Sequence, residues 1–271
     1  MVLYRFVFAV IGFAPAIWRG LSRPQTRIAR RDWSFVFIAA LVGVPIQFLV
    51  QFAGLARTTV THASLMVGNL PVLLAAGSAL FAHEHVTGRR WLALIISTLG
   101  AAMIAFGASS GEAGSQASLA GDLLVAASLI AAVGWVLMSQ RLMKSGNYSP
   151  VNTSAYVMTL GALLLAIWVI GTEGWPPIHL SARTWISVAA SGLLATTTTT
   201  YLWNWGLVRV PASQAGVFIN LEPVVGAILG VAILRDVLGP YGLLGGILVV
   251  GAAIAVALEP PMKRAERGER P

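Results

Sequence analysis

Nine stretches of this sequence are apolar for long enough to cross a lipid bilayer, and they take up most of its 271 residues. In residue numbers they run 2–18, 33–52, 62–81, 91–107, 119–138, 151–170, 185–205, 212–234 and 241–258. Crossing the hydrocarbon core takes about 20 apolar residues in a helix, with about 17 as the short limit. Inside the bilayer every backbone polar group needs a partner within the protein, so only helices and closed barrels can span. Barrel strands would read as short alternating segments, and these are continuous runs. Charge points the same way. Only 10% of the residues are charged, against about 25% in a soluble domain, too few to clothe a water-facing surface. The expected fold is all-α, a polytopic transmembrane helical bundle of nine spans.

Several chemistries drop out at once. The chain has no cysteine, so disulfides, zinc thiolates, iron–sulfur clusters and thiol nucleophiles are excluded. His83-Glu84-His85 is contiguous, so its two imidazoles cannot share a helix face as H-E-x-x-H requires, and no metal site is expected. Gly107-Ala108-Ser109-Ser110-Gly111 has the spacing of a hydrolase elbow, but that motif needs a strand-to-helix turn and this one ends an apolar span. The only lysines are Lys144 and Lys263, neither preceded by glycine, so no phosphate-binding P-loop exists to hydrolyse ATP. No cofactor is implied. The net charge of +8 sits in short gaps between spans, without an aromatic-interleaved basic face. That pattern fits membrane topology and not nucleic acid.

Loop charges set the orientation. One alternate set of loops holds Arg19, Arg23, Arg27, Arg30, Arg31, Arg89, Arg90, Arg141, Lys144, Arg209, Lys263, Arg264, Arg267 and Arg270; the other holds Arg57, Arg183 and Arg235. Arg5 lies just inside the first span. By the positive-inside rule the C-terminal tail is cytoplasmic, in the plasma (bacterial inner) membrane. No basic stretch precedes the first span and five arginines follow it, the reverse of a secretory signal, so it is read as a retained helix.

The sequence also repeats itself. Gly54-Leu55-Ala56-Arg57, Pro71 and Glu84 precede Gly206-Leu207-Val208-Arg209, Pro223 and Asp236 by 152 residues. Gly88 and Leu99-Gly100-Ala101-Ala102 precede Gly239 and Val250-Gly251-Ala252-Ala253 by 151. The expected organisation is a first repeat over 1–108 with four spans, a connecting loop over 109–118, a second repeat over 119–258 with five, and a basic tail over 259–271. Two full five-helix copies would cross the membrane in opposite senses, an inverted-topology repeat. The first copy then lacks one helix, the counterpart of 119–138, ahead of residue 1.

Glu222 is the sharpest candidate for chemistry, because an acid near mid-span costs about 2.5–3.5 kcal/mol on insertion scales. It should face a cavity or a partner; the plainer reading is a protonated side chain bonded to a neighbouring helix. Pro71 and Pro223 should kink their helices at matching positions, a pointer to a midplane binding site. Gln47 and Gln51 share a helix face, and Thr197, Tyr201 and Asn204 mark a second polar-aromatic face with Trp203 beside it. These residues fit a water-filled cavity for amphipathic metabolites, or helix–helix hydrogen bonds worth only about 0.6 kcal/mol each. Asn69 joins the cavity set, seven residues from His62, which is read as an interfacial packing residue. Gly226 and Gly230, like Gly242 and Gly246, are spaced for close helix contact within the chain or in a homodimer.

The half-repeat endings carry a resemblance. Leu55-Ala56-Arg57, Ala63, Leu65, Pro71-Val72 and Glu84, then Leu221-Glu222-Pro223-Val224 and Asp236, resemble the EamA family of the drug/metabolite transporter superfamily. Gly121-Asp122 opening a span, with Trp135 later in it, looks like the start of that family's second repeat. The similarity covers nearly the whole chain. It implies a ten-span fold and export of small metabolites without ATP. This chain departs in lacking the first span and in having Asp236 where Glu is usual. Residues and resemblance together predict a secondary transporter of small metabolites, such as amino acids or related amphipathic compounds, working by alternating access. An intramembrane enzyme and a truncated, non-transporting relative are the alternatives. The enzyme lacks a nucleophile–base pair at membrane depth.

Overall fold

The computed structural model describes residues 2–22, 28–58, 63, 66–108, 118–145, 148–229 and 239–258. His62, Asp236, nearly all of the expected connecting loop and the tail 259–271 lie outside them. Among the described residues every regular element is a helix. The chain begins with α1 (Val2–Ser22). α2 (Trp33–Leu41) runs through a π turn (Val42–Ile46) directly into α3 (Gln47–Leu55). There follow α4 (Leu70–Phe81), α5 (Gly88–Ala108), α6 (Leu119–Ser145) and α7 (Pro150–Glu173). α8 (Ala182–Ala190) passes through a π segment (Ser191–Thr198) into α9 (Thr199–Leu207). The chain closes with α10 (Ala212–Ile219), α11 (Leu221–Leu229) and α12 (Pro240–Ala257).

Local chemistry explains the ends. The Ser149 hydroxyl accepts from the Asn152 N–H ahead of Pro150, a capped start with proline where no N–H is needed. Ser181 caps α8 in the same way, accepting from Thr184 N–H. α7 stops at Gly174, whose φ of +80° suits glycine. Among the described residues, four helices have the length and apolarity to cross a membrane: Arg30–Leu55, Leu119–Lys144, Pro150–Glu173 and Pro240–Ala257. The expected single helices over 62–81 and 212–234 are instead broken, at Asn69 and at Asn220. The breaks fall two residues ahead of Pro71 and three ahead of Pro223. The prolines sit in the first turns of α4 and α11, where the missing N–H costs nothing.

The chain forms two compact units, residues 1–49 with 134–209 and residues 50–133 with 210–271. Each unit draws on both sequence repeats, so compactness and repetition divide the chain along different lines.

In the first unit α1 packs along α7 around Phe6, Ala9, Phe13, Val44, Met158 and Leu165. The contacts pair off across the repeats: α1 meets the π segment before α9, and α7 meets the π turn before α3. A glycine makes each approach. A methyl at Gly12 would lie 2.5 Å from Thr197 Oγ1, and one at Gly161 would lie 2.5 Å from Val44 Cγ2. Val42–Ile46 falls 152 residues before 194–198, so the two π stretches occupy matching places in the repeat. Polar bonds lock the periphery. Tyr148 donates to Asp32 Oδ2 at 2.7 Å and accepts from Ala29 N–H at 2.9 Å, and Gln140 Nε2 donates to the Leu207 carbonyl at 3.2 Å. Burial, then the bond to Asp32, push the Tyr148 phenol above its ordinary range.

In the second unit α5 and α12 form the closest pair. A methyl at Gly100 would stand 2.6 Å from the Gly245 carbonyl oxygen, and one at Gly245 would stand 2.5 Å from that of Gly100. Only glycine lets the backbones meet so closely. Ala75, Leu94, Val217, Ala252, Ala253 and Val256 fill the core beside this crossing. The end of α3 packs on the start of α6, where Thr58 donates to the Asp122 carboxylate and Ser118 Oγ donates to the Arg57 carbonyl at 2.6 Å.

Candidate functional site

The two helix breaks organise the second unit. At the first, Asn69 N–H donates to the Met66 carbonyl at 3.0 Å, and the Asn69 carbonyl accepts from Leu73 to start α4. At the second, Asn220 N–H donates to the Val217 carbonyl at 3.3 Å, and α11 starts at Leu221. Asn69 is exposed, whereas Asn220 is buried and donates through Nδ2 to Ser97 Oγ at 2.9 Å. α10 packs on α4, with Gly216 against the Pro71 backbone. Glu222 is exposed in the first turn of α11. It stands at the start of a half-helix, not in mid-helix as the run 212–234 suggested. Gln51, on α3, is half-buried in the same unit.

Sequence reasoning missed Glu84. Its carboxylate accepts from the N–H groups of Ala212 at 3.2 Å and Ser213 at 3.3 Å, and from the Ser213 hydroxyl at 3.3 Å. The acid therefore caps α10 from a loop far away in sequence. Pro211, at the N-cap position of α10, has no side-chain acceptor. An uncapped helix start was the one hint the sequence contained.

The first unit holds the other expected residues. Thr197 Oγ1 bonds the Ala9 carbonyl at 3.0 Å and the Gly192 carbonyl at 3.1 Å, which ties it to α1. Asn204 is buried and donates through Nδ2 to Ser154 Oγ on α7 at 2.8 Å. Tyr201 packs half-buried against the core around Phe6 and Met158, and Trp203 is half-buried. Gln47 opens α3, immediately after the π turn, with Oε1 buried and unpaired. Thr197 and Asn204 thus spend polar groups on neighbouring helices. Arg5, noted only as a charge inside a span, donates through Nε to Thr196 Oγ1 at 2.7 Å and lies 5.9 Å from the centre of the Phe48 ring.

Buried polar atoms without a partner gather in this unit: Gln47 Oε1, Trp135 Nε1, Ser139 Oγ, Thr153 Oγ1, Thr159 Oγ1 and Asn204 Oδ1. Each costs about 1–3 kcal/mol unless water or a ligand completes it. Among the described residues no group of three or more His, Cys, Asp or Glu side chains could hold a metal.

Long apolar helices and half-helices broken at Asn69 and Asn220 define a multi-spanning integral membrane protein. The chain belongs to the EamA-like transporter family, which it matches over residues 1–106 and 119–258. It is 28% identical over 252 residues to the uncharacterized transporter YwfM of Bacillus subtilis (strain 168), covering 88% of this chain and 79% of that protein. It is 25% identical over 255 residues to an uncharacterized transporter of Archaeoglobus fulgidus, covering 92% and 84%. One crystal structure superposes with a TM-score of 0.78 at 21% identity, over 95% of this chain and 88% of the other, a likeness of fold. The protein is a lipid-embedded secondary transporter of small molecules, not an enzyme.

Proposed function

We propose that the protein exports small amphipathic metabolites, amino acids or related compounds, by alternating access and without ATP. The observation that carries this reading is the pair of helix breaks, Asn69-Leu70-Pro71 and Asn220-Leu221-Glu222-Pro223, at matching positions of two repeats. Half-helix ends inside a membrane are where transporters present backbone dipoles to substrate. The two repeats are inverted copies of one another, in a membrane that the C-terminal tail faces from the cytoplasm. Asn69 and Glu222 serve as polar contacts at the breaks, Glu222 as proton-coupling group or as anchor for an amine. Gln51 in the second unit and Gln47, Tyr201 and Trp203 in the first offer further polar and aromatic surface, with Thr197 and Asn204 bracing the helices that bear it. The test is uptake and efflux of a metabolite panel in vesicles holding the full chain. A compound moved in a protein-dependent, ATP-independent way supports the reading. Movement that requires ATP overturns it. Folded protein that moves no member of a broad panel favours the non-transporting alternative.

A further inference from the structure

A groove of about 610 Å³ runs between α5 and α12 within the second unit. Arg89 and Arg90 stand at one end, and the walls are apolar side chains such as Leu92, Ile96, Ile247 and Leu258. Arg89 is exposed and Arg90 is buried. Gly251 also lines the groove, and a methyl added there would meet nothing within 4 Å, so the slot stays open at that point. From Ile247 to Leu258 the wall follows α12 for about 16 Å at 1.5 Å per residue. That is close to the roughly 15 Å depth of one leaflet's hydrocarbon. Chain-length apolar walls closed by guanidinium groups match one kind of molecule, with an anionic head and an acyl tail.

We propose that this groove binds an anionic phospholipid, with the phosphate at Arg89 and Arg90 and one acyl chain lying along Ile96, Ile247 and Gly251. Three things favour it. A planar guanidinium matches phosphate oxygens in a way an ammonium does not. Basic pockets between transmembrane helices on the cytoplasmic side take up anionic headgroups, and the arginine distribution assigns this end of α5 to that side. Two arginines in the first turn of α5 also add positive charge to the positive end of a helix dipole, a repulsion that a phosphate relieves. Beyond Leu258 the sequence nearly balances Lys263, Arg264, Arg267 and Arg270 against Glu259, Glu266 and Glu269, so the groove's own arginines set its sign. This site is separate from the transport reading and stands or falls without it.

The test uses the full chain in detergent, titrated with dioleoyl-phosphatidylglycerol, dioleoyl-phosphatidylcholine or glycerol phosphate, and read by native mass spectrometry and thermal unfolding. Phosphatidylglycerol should stay bound and raise the melting temperature, while phosphatidylcholine and glycerol phosphate should do neither. Arg89→Ala should weaken phosphatidylglycerol retention about tenfold, the scale of one charge-assisted contact. Gly251→Leu should fill the slot and release the lipid. Gly246→Leu makes the same change on α12 away from the groove, also where a methyl meets nothing, and should leave binding intact. Equal binding of the two lipids, or unchanged retention in Arg89→Ala, overturns the proposal. So does a two-chain mass that Gly251→Leu abolishes, because a second copy would then cover this face. If Gly251→Leu fails to fold, the lipid selectivity and Arg89→Ala still decide.

Discussion

Glu222 and Tyr148 illustrate how far one side chain can be read. Glu222 is an acid in a sequence sparing of charge, and it stands exposed in the first turn of α11. Glu222→Gln keeps size and hydrogen bonding and removes titration. It should express normally and change the rate or the pH dependence of transport in vesicles. An unchanged profile across the pH range would end its coupling role. Tyr148 lies between α6 and α7, donating to Asp32, with its phenol held above the ordinary value of about 10. Its stabilising contribution is therefore complete below about pH 10 and is lost as pH rises through the raised value. Thermal melts from neutral to strongly alkaline pH should show wild type losing more stability than Tyr148→Phe in that window. Equal losses would mean that the Asp32 bond contributes nothing.

At the scale of elements, the breaks in the runs 62–81 and 212–234 are the informative features. Both prolines were legible as helix disturbances; the chain turns just ahead of them, at Asn69 and Asn220, and each proline lies in the first turn of the next half-helix. At the second break the buried Asn220–Ser97 bond ties the turn to α5. Asn220→Ala should therefore lower stability in detergent by about 0.6–1.7 kcal/mol, the range of hydrogen bonds between membrane helices. Pro223→Ala should cost less, because at a first-turn position no intrahelical hydrogen bond is gained or lost. A larger loss from Pro223→Ala would make proline the determinant of the break. The two π segments were not legible at all. A π turn adds a residue to one turn without changing the apolar composition, so no periodicity signals it; Pro45 lies inside the first, and Gly12 and Gly161 pack closely beside the two at Thr197 and Val44.

For the whole molecule, the outstanding expectation is topology. The chain has no native cysteine, so single cysteines can be placed without background. Cysteines replacing Arg89, Arg209 and Arg264 should label from the cytoplasmic side, and those replacing Arg57 and Arg183 from the other. Labelling of Arg57→Cys and Arg209→Cys, which hold equivalent places in the two repeats, from one side would overturn the inverted arrangement.

The sequence alone determined the solvent, the element type and the repeat. Those follow from how many apolar residues stand in a row, how few charges interrupt them, and which Gly, Pro and acidic positions recur. Each of these is a one-dimensional property of the chain. The tertiary structure decided what those positions do. It spends Thr197 on the Ala9 carbonyl and Asn204 on Ser154, makes Glu84 the cap of α10, and divides the chain into units that each mix both repeats. Such partners lie 50 to 188 residues apart in sequence. A hydrogen bond depends on where two backbones come to lie and not on how far apart they are along the chain, so no local pattern could have named them.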